Sequence, residues 1–185
     1  KFDPEGVDEI RRKFFGTIHE NFGGNLRKIV CGGAAIRPEG GEFFDNIGIS
    51  LINGYGITEC APLLSVNRNR EQVPGSVGRI LRCVDMIIAD PNEDGEGEIC
   101  VKGDIVMLGY YKNEQATKEV FTEDGYFCTG DYGNLTKKGQ IMITGRKKNI
   151  IILGNGKNIY PEELEEYIGS IPYVLENIVY ADRDE

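Results

Sequence analysis

Four short stretches of the chain hold residues able to do chemistry. The first is NGYGITE, residues 53–59. Gly54 and Gly56 would let a backbone approach a ligand closely. Tyr55 offers a flat ring for stacking, Thr58 a hydroxyl for a phosphate, and Glu59 a hard oxygen ligand of the kind magnesium takes. The plain alternative is a β-turn with an exposed tyrosine. The second stretch is CGGAAI, residues 31–36, where Gly32, Gly33 and Ala34 follow a short apolar run. Ligands of open α/β sheets sit beyond the carboxyl ends of the strands. Two glycine exits on neighbouring parallel strands could therefore line one crevice, or could do no more than turn the chain.

The third stretch, FCTGDYG, places Asp131 after Thr129 and Gly130. One carboxylate can accept two hydroxyl donors, which suits the vicinal diol of a ribose, although TGD alone is a common turn. The fourth, TGRKKN, supplies Arg146, whose planar fork suits phosphate or ribose oxygens. By itself such a charge run is ordinarily a solvated face.

The elements that must carry these residues change character along the chain. Val7, Ile10, Phe14, Ile18 and Phe22 recur at spacings of three and four, which predicts one amphipathic helix over 5–22. KIVC reads as a short buried strand running into Gly32 and Gly33. A second helix carries Phe43, Phe44 and Ile47 on one face and stops at Gly48. ISLINGYG predicts a further strand that ends in a glycine turn. Helix, strand, helix, strand is one α/β unit with parallel strands. Beyond about residue 70, RCVDMIIAD, GEICVKG and GQIMITG are Val- and Ile-rich runs separated by DPNEDGEGE, TEDG and TKKG. That texture predicts antiparallel strands with tight turns, interrupted by one helix over Glu114–Val120. From Arg146 onward, NIIIL and GKNIY could pair across GNG. Pro161 suits a first helical turn, Glu162 and Glu163 complement its dipole, and Leu164, Tyr167 and Ile168 form an apolar face.

Bulk composition narrows the class. A net charge of −9 argues against a nucleic-acid surface, while leaving room for a local phosphate site at cations or helix N-termini. No apolar run is long enough to span a membrane, and KFDPEGVDEI has no signal-peptide core. A cytoplasmic protein is the expectation, with peripheral membrane contact left open. The five cysteines, Cys31, Cys60, Cys83, Cys100 and Cys128, are odd in number and scattered, and there is one histidine, His19. Neither a disulfide framework nor a zinc site is suggested, and all five read as reduced and mostly structural.

Taken in order, GGAAI, YGITE, PGSVGRIL, GEICVKG, TGDYG and GRKKNIIILGNGKNIYPEELE resemble the adenylate-forming superfamily of acyl-CoA synthetases, peptide-synthetase adenylation domains and luciferase-like enzymes. Each piece is weak alone; six in one order are not. The likeness runs from about residue 24 onward, and GKNIYPEELE is most similar to the long- or medium-chain fatty acyl-CoA synthetase branch. It implies an acetyl-CoA-synthetase-like fold: an α/β end of the large domain over 1–72, a barrel-like, mostly antiparallel part over 73–147, and the start of an α+β small domain over 148–185.

The resemblance also implies roles. Gly54, Tyr55 and Gly56 would hold the adenine of ATP or AMP, and Gly32, Gly33 and Ala34 would lie along the adenine and acyl groups. Thr58 would touch the phosphate and Glu59 would help bind Mg2+. Asp131 would grip the ribose, with Arg146 nearby and Ile143 against the adenosine. Lys148 falls at the family's interdomain hinge, where aspartate is frequent and this sequence has lysine. The loop over 154–157, with Gly154 and Lys157, would line the coenzyme A channel. The family's glycine-, serine- and threonine-rich phosphate loop and its small-domain lysine do not occur in this sequence, so a fragment is expected, inactive alone. The implied parent joins a carboxylic acid, a fatty acid on this reading, to coenzyme A through an acyl-adenylate. Other readings are a non-catalytic nucleotide-binding module and adenylation of an aryl or amino acid. A Rossmann-type module fits poorly, since no GxGxxG follows the first strand.

Overall fold

The amphipathic run at the start of the chain forms two helices rather than one, α1 (Pro4–Phe14) and α2 (Gly16–Asn21), in the computed structural model. The break falls at Phe15, whose φ of −98° and ψ of 30° leave the helical region immediately before a glycine. The single histidine fixes α2: His19 is buried, and its Nε2 donates to the Ile47 carbonyl at 2.7 Å. The structure describes residues 4–34, 36, 38–68, 73–154 and 158–181. The chain divides into two compact units, Lys1–Leu81 and Arg82–Glu185.

In the first unit, β1 (Lys28–Cys31), α3 (Pro38–Asn46) and β2 (Ser50–Gly56) follow in the expected order, and β1 pairs β2 in parallel from Lys28↔Ser50 to Cys31↔Asn53. Gly48, at φ +82°, ends α3, and the Ile49 N–H reaches back to the Phe44 carbonyl at 2.9 Å. Two expectations are corrected. First, β1 is not buried. Val30 is 72% exposed, because β1 is the edge of a sheet ordered β1-β2-β3-β4. Second, β2 does not end in a glycine turn; it runs through Gly54 and Gly56. It does so because β3 (Leu63–Val66) returns antiparallel along it, pairing Gly54↔Val66 and Tyr55↔Ser65, and β4 (Arg79–Ile80) adds to β3. Apolar Ile49, Leu51 and Leu64 are buried in this unit.

The second unit is built on β5 (Val84–Ala89), β6 (Gly97–Gly103), β7 (Phe127–Leu135) and β8 (Ile141–Arg146), all antiparallel and adjacent in chain order. Its turns share one device. Thr122 Oγ1 accepts the Tyr126 N–H at 3.0 Å, Thr136 Oγ1 accepts the Gln140 N–H at 3.1 Å, and Asn92 Oδ1 accepts the Glu96 N–H at 3.0 Å. Each polar side chain closes its own turn. The expected helix is α4 (Glu114–Val120), capped by Asn113, whose side chain accepts from the Ala116 N–H. The inner strand β6 buries Ile99, Cys100 and Val101, with Phe127 and Ile141 packed in the same sheet. The sheet is open, with β5 and β8 as edges, not barrel-like. Four strands are fewer than the roughly five to eight that curl around an interior.

After β8 come a 3-10 turn (Lys147–Asn149), β9 (Ile151–Ile152), β10 (Asn158–Ile159) and α5 (Pro161–Gly169). β9 and β10 pair antiparallel as Ile152↔Asn158 and Ile151↔Ile159, as the sequence predicts. Pro161 opens α5 and Glu162 and Glu163 lie in its first turn. Its apolar face is largely open: Leu164 is 42% and Tyr167 75% exposed. Among the described residues, no helix is long and apolar enough to cross a membrane.

Candidate functional site

The first unit gathers its predicted residues at the carboxyl ends of two parallel strands. Gly32 directly follows β1, and a Cβ there would lie 3.2 Å from the Gly54 carbonyl oxygen. The two glycine segments are thus neighbours, as the parallel pairing requires. Gly33 has φ +85°, and Gly32, Gly33 and Ala34 are exposed. Gly56 is dictated by close approach. A Cβ would fall 1.9 Å from the Pro62 carbonyl oxygen, where the register shifts between Tyr55 and Gly56. Tyr55 is 8% exposed, so the plain reading of an exposed tyrosine on a turn fails.

Thr58 and Glu59 lie on a 3-10 turn (Thr58–Cys60) just beyond β2, Thr58 exposed and Glu59 half-buried. Ala61 closes the turn in the left-handed region, at φ 54°. A hydroxyl and a carboxylate side by side are hard oxygen donors. Magnesium is commonly held by one or two carboxylates with substrate phosphates supplying the rest, so this pair fits that ion. Cys60 beneath them is an inert thiol: burial, and then the Glu59 charge, push its pKa up to about 11. The same unit holds a cavity of about 230 Å³, lined by Leu51, Asn53, Asn67 and Ser76 among others. It is smaller than the roughly 300–1,000 Å³ of ordinary ligand pockets. Its wall is held by a reciprocal pair, Asn67 Nδ2 to the Ser76 carbonyl at 2.7 Å and Ser76 Oγ to Asn67 Oδ1 at 3.1 Å. These bonds seat the PGSVGRIL segment.

The second unit brings Asp131 and Arg146 together. They are register partners across β7 and β8, and Arg146 Nε sits 3.1 Å from Asp131 Oδ1. Gly130, at φ +75°, bends the strand ahead of the carboxylate. Thr129 fixes the bend: its Oγ1 accepts the Asp131 N–H at 3.1 Å and donates to the Ile99 carbonyl at 2.9 Å. The Asp131 side chain is 6% exposed and that of Arg146 57%. A nearly buried acceptor is thus held beside a solvent-facing fork. Ile143, half-buried on β8, pairs Gly133.

Lys148 is exposed in the middle of its 3-10 turn, between two anchored neighbours. Lys147 Nζ meets Glu98 Oε2 at 2.5 Å, and Asn149 Nδ2 donates to Glu162 Oε1 at 2.6 Å. Gly145 allows the start of α5 to close on β8, since a Cβ would lie 2.7 Å from Tyr160 Cδ1. Tyr160 donates its hydroxyl to Glu96 at 2.7 Å. Gly154 is exposed in a turn, and Lys157 lies outside the described residues. Sequence reasoning missed one cluster altogether: Glu98, Cys100 and Cys128, with donor atoms all within 4.8 Å of one another. Its signal was indirect. Only once β6 and β7 are put in register do two scattered cysteines become opposed.

The chain is similar to proteins of known function. Over 171 residues the chain is 36% identical to a long-chain-fatty-acid–CoA ligase of Mycobacterium bovis, matching 92% of this chain and 28% of that protein. It superposes on the o-succinylbenzoate CoA synthetase MenE of Bacillus subtilis in complex with the acyl-adenylate intermediate OSB-AMP. That TM-score is 0.78 at 32% identity, covering 86% of this chain and 34% of that one. ATP-bound MatB of Rhodopseudomonas palustris gives 0.74 at 31% identity, covering 97% and 40%. The chain spans about a quarter of the length of the fatty-acid–CoA ligases it matches. These structures carry the acetyl-CoA-synthetase-like fold that the motifs implied. Residues 5–111 match the family model described as AMP-binding enzyme. With more than half of the chain matched by that model and 92% of it aligned to a relative at 36% identity, the chain belongs to the AMP-binding enzyme family of adenylate-forming proteins.

Proposed function

We propose that this chain is the nucleotide-holding portion of an ATP-dependent, AMP-forming acyl-CoA ligase acting on a fatty acid. The observation that carries the reading is the Asp131–Arg146 pair, a nearly buried carboxylate fixed beside an exposed guanidinium on paired strands. In the parent, Asp131 accepts from the ribose hydroxyls while Arg146 steadies it and offers its outer N–H groups to nucleotide oxygens. Gly32, Gly33, Ala34, Gly54 and Gly56 carry no side chain larger than a methyl that would bar adenosine, Tyr55 flanks the base, and Ile143 lies against the nucleoside. Thr58 donates to the phosphate. Glu59 would hold Mg2+, which supplies charge stabilisation at phosphorus when bound.

The overall reaction joins the carboxylate of the acid to the α-phosphate with loss of pyrophosphate, and the thiol of coenzyme A then displaces AMP. Lys148 serves as the pivot between the two half-reactions, and Gly154 and Lys157 line the coenzyme A path. A fatty acid is favoured by the names of the relatives most similar in sequence. The likeness to an o-succinylbenzoate synthetase favours an aryl acid as the second reading. A cytoplasmic setting belongs to the proposal, supported by five unpaired cysteines that suit a reducing compartment; some relatives are named chloroplastic or peroxisomal.

Two measurements test this. Calorimetric titration of the chain with AMP reads the nucleotide site directly, and absence of binding by both the chain and the parent would sink it. Pyrophosphate release by the parent reads the acid: turnover with fatty acids supports the proposal, and turnover confined to aryl or amino acids replaces it.

A further inference from the structure

We propose that Cys100 and Cys128 are a redox modification site, forming a reversible disulfide across β6 and β7. The two residues are register partners on neighbouring antiparallel strands. Directly opposed residues of such a pair have Cα atoms about 4.5–5.5 Å apart, within the roughly 4.4–6.8 Å that a disulfide spans. Closure therefore asks for side-chain rotation and no strand movement. The sulfurs already meet, with Cys100 Sγ and Cys128 Sγ 2.8 Å apart and both thiols free.

The surroundings assign the roles. Cys100 is fully buried, and burial pushes its thiol pKa far up. Cys128 is only half-buried and open to a small oxidant. The Lys147 ammonium, held on Glu98, lies beside this pair of sulfurs. With a peroxide as the oxidant, the Cys128 thiolate attacks one peroxide oxygen. The O–O bond breaks, a sulfenic acid forms on Cys128, and the second oxygen leaves as water after taking up a proton. The Cys100 sulfur then attacks the sulfenyl sulfur. The S–S bond forms, the S–O bond breaks, and a second water leaves with the Cys100 proton. Two thiols and one hydrogen peroxide give one disulfide and two waters, and a dithiol reductant reverses the link.

The same atoms could be read as a soft-metal site, because Glu98, Cys100 and Cys128 converge. The ion pair argues otherwise: the Glu98 carboxylate is engaged by Lys147, whose ammonium would face the incoming cation. The inference is independent of the nucleotide reading, since it concerns only the strand pair.

The test treats the reduced chain with hydrogen peroxide, alkylates it under denaturing conditions, and maps it without reduction. The expected result is a linked peptide holding Cys100 and Cys128, with alkylated cysteines falling by two from the five in the chain and restored by dithiothreitol. In Cys100→Ser, peroxide should leave a dimedone-reactive sulfenic acid on Cys128. Both cysteines staying alkylatable at a dose that oxidises the exposed Cys83 would overturn the proposal. So would a linkage to any other cysteine, or stoichiometric zinc carried by the reduced chain and lost in Cys128→Ser. The wild-type map decides even if a variant fails to fold.

Discussion

Asp131 and Arg146 hold one another at 3.1 Å across β7 and β8, one side chain almost buried and the other facing solvent. The asymmetry makes the pair useful. The buried member cannot wander, because Thr129 and Gly130 fix its backbone, and the exposed member is free to share its remaining donors. Asp131→Ala in the parent enzyme is expected to weaken AMP and ATP binding by about 1–3 kcal/mol, the scale for losing a charged hydrogen-bond partner. Calorimetry on folded variant protein reads it, and unchanged affinity would remove Asp131 from the site.

Gly56 should be intolerant for a steric reason. A methyl group there meets the Pro62 carbonyl oxygen at 1.9 Å, and backbone cannot step aside as a side chain can. Gly56→Ala is expected to destabilise the fold by about 1–3 kcal/mol or more. Gly16→Ala, with nothing within 4 Å of its Cβ at the start of α2, should be neutral or stabilising by up to about 1 kcal/mol. Urea unfolding midpoints compare the two.

Alkaline pH should unfold the second unit through Tyr160 and Lys147. Burial, and then the hydrogen bond to Glu96, raise the Tyr160 pKa from 10.0 to about 12. The bond to Glu98 raises that of Lys147. A group whose pKa is raised by folding stabilises fully below its unfolded value and loses that contribution as pH climbs through the folded one. Stability should therefore fall between about pH 10 and 12. Tyr160→Phe should flatten that fall in denaturation midpoints taken across the range, and an unaltered slope would show the hydroxyl plays no part.

Lys148→Pro should separate the two half-reactions of the parent. Its neighbours are anchored, Lys147 on Glu98 and Asn149 on Glu162, while Lys148, the proposed pivot, is exposed between them. Adenylation, read as pyrophosphate release, should survive while thioester formation falls sharply. Equal loss in both would count against a pivot there.

Much of this was legible before any coordinates. The helix Glu114–Val120, the β9–β10 pairing across GNG and the proline-led, acidic first turn of α5 all follow from local signals that act within a few residues. What stayed hidden depends on partners distant in sequence. Tyr55 reads as exposed because its segment looks like a turn, yet β3 pairs with it and buries it. Val30 reads as buried because its run is apolar, yet β1 is an edge. The Cys100–Cys128 contact needs the register of β6 on β7, which no periodicity encodes. Asp131 and Arg146 each stand out in the sequence separately, but their direct pairing is a property of the hairpin.

Arg146, Lys147 and Lys148 are three adjacent cations in the sequence. In the fold, the first two point at carboxylates on different strands, Asp131 on β7 and Glu98 on β6. Most of the run's charge is thereby cancelled within a few ångströms, inside a protein already carrying −9. Under the proposed function, a nucleotide arriving there meets little long-range pull and must be captured by contact. Its association rate should consequently be slow for a charged ligand and should not fall with added salt, unlike capture at an open basic patch.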